Sequence, residues 1–324
     1  MINNDNISVQ SVENQRTQSS NIVVIVPSYQ CEKYVAETLR SLMDQGDALL
    51  GVDRIILTDD ASTDRTIEIA RATWRGPIAL EVRAAPKNRG EYINMNECIA
   101  ALPAHIEWYL VMHADNLAKQ GWLSTLQECI RSAGACTGSI CTSWDNFDDA
   151  GNVLSVGENR VPLKSELIEG NDASVAGTLR QGCWWHISSC ATRVQVYREV
   201  GGLPQGFRLK GDWDFMLRML KSGWDIEYVP AALMNYRMNP EGSSSVSFLR
   251  HKDVFETLEI FQRHQLVLSI PSVARYHIIQ LWRLTRRLVG AVFRGNGERA
   301  ILVFPMAAYV MKSFFICLGD RRTR

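Results

Sequence analysis

NIVVIVPSYQCEKYVAETLRSLMDQGDALLGVDRIILTDDASTD, residues 21–64, decides the fold. An apolar run from Ile22 to Val26 stops at Pro27-Ser28-Tyr29, and a second from Ile55 to Leu57 stops at Asp59-Asp60. Between them Val35, Leu39 and Leu42 recur at i, i+4, i+7, which is one face of a helix. The stretch therefore predicts strand, helix, strand, with turn residues at both strand ends. Open α/β sheets bind ligands at the carboxyl ends of their strands. An acid pair placed there, followed by Ser62 to Asp64 at the start of another helix, suits a polar small molecule.

Working outward, the alternation continues. Ile78–Val82 reads as a third strand, Tyr92–Leu102 as a helix, and Trp108–Met112 as a fourth strand ending in His113-Ala114-Asp115. Trp122–Arg131 reads as a helix and Gly138–Trp144 as a strand, while residues 146–177 read as irregular and turn-rich. A strand over Gly182–Ile187 and helices over Thr192–Val200 and Asp212–Ser222 follow. The expected architecture is α/β, with a mainly parallel sheet covered by helices on both faces.

The chain has 324 residues, 46% of them hydrophobic, with 35 acidic and 35 basic side chains. That composition permits a large packed domain and gives no reason to expect nucleic acid as a partner. None of the eight cysteines forms a Cys-x-x-Cys pair, so reduced thiols in a cytoplasmic setting are expected. Residues 1–20 are polar, lack an apolar stretch, and read as a disordered tail. A nicotinamide-dependent oxidoreductase is disfavoured, because Pro27-Ser28-Tyr29-Gln30-Cys31 stands where such a fold needs Gly-x-Gly-x-x-Gly.

VVIVPSYQCEKYVAETLRSL, ILTDDASTDRT, the triplet at 113–115 and the acidic cluster near 212 occur in the order found in inverting family 2 glycosyltransferases, which the chain resembles over residues 21–245. The resemblance implies a GT-A nucleotide-diphospho-sugar transferase fold. It implies a nucleoside diphosphate sugar donor, a hydroxyl acceptor on a glycan or lipid-linked glycan, and a divalent Mg or Mn cofactor.

Residue by residue, the resemblance makes Asp60 a nucleobase contact, with Pro27 and Tyr29 walling the same pocket. The alternative for Asp59 and Asp60 is turn capping. Asp115 is the expected metal ligand and diphosphate contact; His113, in place of the family's first acid, is a second candidate ligand or a hydrogen-bonded strand-end histidine. Asp212 matches the acid that takes the acceptor proton, although Asp at a helix start also serves as a cap. Asn88 and Arg237 are expected near the donor, and Trp184, Trp185 and His186 along the acceptor. Ala114 in the altered triplet, and Met95, Gly211 and Asn239 in place of the family's usual Arg, Glu and His, keep a degenerate, non-catalytic sugar-nucleotide-binding protein as the alternative.

The resemblance stops near Ser245. Residues 246–324 read as helical, with Arg283, Arg286, Arg287 and Arg294 close together and a nearly apolar stretch from Ala300 to Leu318 interrupted by Pro305 and Lys312. This pattern predicts either docking on the inner face of a membrane or ordinary packing on the catalytic domain or on a second subunit.

Overall fold

The computed structural model describes residues 20–156, 165–239 and 252–321. The expected tail, the domain boundary near 245, Glu241 to Ser243 and the terminal Arg322 and Arg324 lie outside those residues, Ser20 apart.

The first half builds the expected parallel sheet. Strands β1 (Ile22–Ser28), β2 (Arg54–Asp59), β3 (Ala79–Ala84) and β4 (Trp108–Val111) lie in the order β3-β2-β1-β4, all parallel. Every residue of β1 is buried. Ile22, Val24 and Val26 pack into one core and Val23 and Ile25 into the other, the period-two alternation of a strand covered on both faces. Helix α1 (Val35–Met43) buries Val35, Leu39 and Leu42, the three residues whose spacing predicts it. Helices α2 (Thr66–Thr73) and α3 (Glu91–Ala100) complete the crossovers.

Beyond β4 the sheet becomes mixed. A short strand β5 (Leu117–Ala118) and helix α4 (Trp122–Ser132) lead into β6 (Thr137–Phe147), with β7 (Val153–Ser155) and β8 (Glu166–Ile168) as antiparallel additions. Helix α5 (Asp172–Gln181) lies partly in the stretch expected to be irregular. Its Asn, Asp, Ser and Gly residues resemble a turn, but Asn171 caps it through the Ser174 N–H and Val175, Ala176 and Leu179 enter the core. Residues 182–187 are not a strand. The strand is β9 (Cys190–Arg193), antiparallel to both β4 and β6, and helix α6 (Val194–Val200) starts after it. Helix α7 (Gly211–Lys221) precedes β10 (Asp225–Arg237), which sequence reading did not anticipate. Pro230 interrupts that strand, and the pairing with β6 shifts register between Val229 and Ala232 to accommodate it.

Three helices close the chain: α8 (Lys252–His264), α9 (Ile270–Phe293) and α10 (Gly297–Gly319). They are not a detached appendage. Ile260, Phe261, Val273 and Cys317 join the same core as Trp185, Trp213 and Phe215. A smaller core of Leu258, Leu284, Val303, Met306 and Val310 binds the three helices to one another.

Candidate functional site

The carboxyl ends of β1, β2 and β4 form the crevice that the topology calls for. Ser28 is paired with Asp59 in the ladder, and the Ala114 N–H donates to the Pro27 carbonyl at 3.1 Å, setting the 113–115 turn beside the end of β1. Asp59 organises its own turn: its carboxylate accepts from the Ser28 hydroxyl at 2.9 Å and from the Ser62 amide and hydroxyl at 2.7 and 2.6 Å. Gln30 and Ala61, one on each lip, hold φ values of 53° and 63°. Left-handed conformations in residues other than glycine are strained and cluster where a ligand site over-determines the backbone.

Asp60 is buried, at 3% exposure. Its two oxygens accept from the backbone N–H groups of Arg89 (3.0 Å) and Gly90 (2.8 Å). It thereby ties β2 to the turn carrying Asn88, which is exposed. Tyr29 is 49% exposed and free to stack, while Pro27 is buried. Asp60→Ala is expected to lower stability by about 2–3 kcal/mol, because two part-buried amides lose a charged acceptor, and also to weaken nucleotide binding. A urea midpoint equal to wild type would remove the bracing role; calorimetry with an unchanged nucleotide affinity would remove the binding role.

The centre of the site is a charged cluster. His113 uses both ring nitrogens: Nε2 meets Glu91 Oε1 at 2.7 Å and Nδ1 meets the Ser188 hydroxyl. With both nitrogens taken, His113 does not fit the expected role of metal ligand and instead bridges α3 to the 187–189 turn. Burial works against the imidazolium, but the Glu91 carboxylate more than offsets it and holds His113 above its ordinary pKa. Burial likewise opposes the Glu91 charge, and His113 outweighs it in turn. Burial raises the Asp115 carboxyl, with the His113 charge opposing and Glu91 adding. Among the described residues no side chain forms a hydrogen bond or ion pair with the Asp115 carboxylate.

Asp212 opens α7. Its carboxylate accepts from the Trp213 N–H at 2.8 Å, and burial pushes its pKa up to about 6 against the pull of Lys210. Gly211, where the family resemblance leads one to expect Glu, packs on Tyr92. A Cβ there would lie 2.2 Å from the Tyr92 ring, and the Tyr92 hydroxyl accepts from the Gly211 N–H at 3.1 Å. Tyr92 thus occupies the space of the missing side chain. Asp214 is structural: buried, it pairs with Arg218 at 2.8 Å and His264 at 3.1 Å.

Other expected contacts are placed differently. The Arg237 guanidinium is buried between the rings of Phe147 (4.3 Å) and Tyr34 (4.7 Å), donates to the Asp115 carbonyl at 2.9 Å and pairs with Glu37 at 2.5 Å. It braces the 115 turn and has little capacity left for a diphosphate. Trp184 and Trp185 are core residues whose indole N–H groups are turned inward, to Thr178 (3.4 Å) and Ser139 (3.0 Å). They offer no face to an acceptor. His186 does reach the site, its ring 6.3 Å from that of His113 and 5.0 Å from Tyr236. Burial first, and the His113 charge second, push its pKa down to about 3, so it is neutral.

Sequence reasoning missed two residues. Glu91 looked like an ordinary acid at a helix start; only the fold brings it against His113. Glu256, on α8, accepts from the backbone N–H groups of Arg208, Leu209 and Lys210, each at 2.9 Å, and so holds the segment leading into Asp212. It lies 44 positions further along the chain, and no local pattern announces such a contact. Between these elements, Asn88–Ile93 and Gln205–Arg208 line a cavity of about 380 Å³.

Among the described residues no three His, Cys, Asp or Glu side chains converge on one metal position. Magnesium and manganese need no complete protein cage when substrate phosphates supply the other oxygens. The unshared carboxylate of Asp115 fits such a single-ligand site; His113 does not.

Glycosyl transferase family 2 matches residues 23–180. Solved structures of two proteins superpose on nearly the whole chain. Staphylococcus aureus TarS, residues 1–349 in complex with UDP-GlcNAc, is 18% identical, with a TM-score of 0.63 over 93% of this chain and 82% of that one. The mannosyltransferase PcManGT of Pyrobaculum calidifontis, in complex with GDP-Man and Mn²⁺, is 14% identical, with a TM-score of 0.58 over 97% and 93%. No curated protein sequence matches. At such identities the neighbours speak for the fold, which is the expected GT-A type with C-terminal helices added. The match identifies residues 23–180, the stretch that carries β1 to α5, as a family 2 glycosyltransferase region.

Proposed function

We propose that the protein transfers a sugar from a nucleoside diphosphate sugar to a hydroxyl acceptor with inversion, in polysaccharide or lipid-linked glycan assembly. The observation that carries this reading is Asp212. It is a helix-start carboxylate raised to about 6, facing the cluster of Glu91, His113 and Asp115. A general base works best when its pKa lies just below the working pH. Asp212 removes the acceptor proton as the hydroxyl oxygen attacks the anomeric carbon. The neutral His186 and the Glu91–His113 pair border the reacting centre and shape it without adding net charge. Tyr29 stacks on the base, and Asp60 keeps the Asn88 turn in place beneath it.

The diphosphate needs positive charge, and Arg237 is committed elsewhere. A divalent cation on Asp115 would neutralise the leaving group. Chelation is therefore expected to lower donor affinity at least tenfold in calorimetry with nucleoside diphosphates. Full affinity and activity after exhaustive chelation would assign that task to side chains alone.

The direct test is a thermal-shift screen of UDP- and GDP-linked sugars with and without Mn²⁺, followed by an assay of donor turnover. A ligand at a hundredfold its dissociation constant adds about 2.7 kcal/mol of stability. A donor that stabilises but is never turned over, by hydrolysis or by transfer, would favour the non-catalytic binding protein. For an active enzyme kcat/KM is expected to fall below about pH 6 as Asp212 takes up a proton. A rate that stays flat through that range would remove Asp212 from the mechanism.

A further inference from the structure

Helices α9 and α10 each bury one side and leave the other uncovered. On α9, Ile278, Trp282 and Phe293 face solvent, Phe293 at 86% exposure; on α10, Ile301, Phe304 and Phe315 do the same. The exposed arginines Arg275, Arg283, Arg286 and Arg294 interleave with the apolar residues of α9. The Arg286 guanidinium lies 4.9 Å from the centre of the Trp282 ring. From Gln265 to Gly297 the chain has five arginines and no carboxylate. Arg287, the fifth, turns inward to Asp253 at 2.8 Å.

We infer that this face of α9 and α10 docks flat on a membrane surface rich in anionic phospholipid. Charge selects the occupant. Two copies of the chain meeting through this face would bring like-charged arginines together with no carboxylate on α9 to answer them, which is unfavourable. Anionic headgroups answer them, and the interleaved Trp and Phe residues match the amphipathic layer just beneath. The helix lies on the surface and does not cross it. α10 has the length and apolar character of a span, 20 residues at a mean hydropathy of 2.0. Yet Val303, Met306 and Val310 are buried against the neighbouring helices, Ser313 pairs with His277 at 3.0 Å, and Lys312 stands exposed. Crossing a bilayer would break that packing.

The docked unit is joined to the chemistry. α8 packs on α10 and carries Glu256 and His264, which hold residues 208–210 and Asp214 on either side of Asp212. Docking is therefore coupled mechanically to the segment that carries Asp212. The surface assignment itself does not rest on the donor or acceptor reading.

The test is sedimentation of the full chain with vesicles of phosphatidylcholine alone or with about one third phosphatidylglycerol. Binding is expected to be at least tenfold stronger with the anionic lipid, and to weaken in about 0.5 M salt. Arg283→Glu with Arg286→Glu, and separately Phe304→Glu with Phe315→Glu, are expected to lower the partition coefficient about tenfold or more. These positions are exposed, so the thermal midpoint should hold. Three outcomes overturn the inference. One is absence of binding, or equal binding to both lipids, at low salt. Another is bound protein that resists alkaline extraction, which would mean a span. The last is a stable dimer that Phe293→Glu splits while vesicles remain unbound, which would mean self-association.

Discussion

Asp212→Asn is expected to keep the donor bound and to lower transfer by about 10²- to 10⁴-fold, the usual worth of a general base. The amide matches the carboxylate in size and can still accept from the Trp213 N–H, so geometry survives and only basicity is lost. Folding raises the pKa of Asp212, so the fold favours its protonated form. Its contribution to stability is present at low pH and is lost as pH rises from the ordinary carboxylate range through about 6. At pH 7 the buried charge is a burden, and the variant is expected to be more stable by roughly 1–2 kcal/mol after allowance for partial solvent contact. Slower and more stable is the signature of a strained functional residue. Turnover equal to wild type would exclude Asp212 as the base. A variant less stable than wild type would show that the fold needs the Asp212 charge and does not merely bear it.

Glu256→Ala is expected to cost about 3 kcal/mol or more of stability, since three amides lose a shared charged acceptor, and to lower kcat at least tenfold. The mechanical reason is direct. Arg208, Leu209 and Lys210 immediately precede Gly211 and Asp212, and Glu256 is what fixes their backbone. Small misplacement of a catalytic group can cost about a hundredfold in rate. The measurement that separates positioning from mere stability is the pH profile, taken well below the melting temperature. A loosened Asp212 gains water, so its acid limb should move to lower pH than in wild type. Glu256→Gln, which keeps one acceptor oxygen, should recover part of both effects. A folded alanine variant with unchanged kcat and an unmoved acid limb would show that Glu256 only stabilises α8. The same contacts imply that deletion of α8 to α10 unfolds the catalytic half and does not merely release it.

Much of this was legible in residues 21–64. A β-branched run ending in Pro-Ser-Tyr, a helix face at i, i+4, i+7 and a second run ending in paired acids determine a parallel βαβ unit. They determine it because side-chain periodicity and turn chemistry are local properties of the chain. The strand-end positions of Asp59, Asp60 and Asp115, and the helix-start position of Asp212, follow from the same local grammar. What those positions do is another matter. Asp60 turns inward to two amides, Arg237 disappears between two aromatic rings, and Trp184 and Trp185 become core; each depends on which distant segment arrives alongside. Helix α5 was hidden because its turn-like residues become helical only when Val175 and Leu179 find a core to enter. The Glu91–His113 bridge spans 22 residues and the Glu256 brace 46 or more. Such contacts are set by tertiary packing, where burial and charge pairing between segments outweigh any local preference. The sequence by itself determined the strand ends where the site is built; only the tertiary structure decided which of its acids stay open to a substrate and which hold the walls in place.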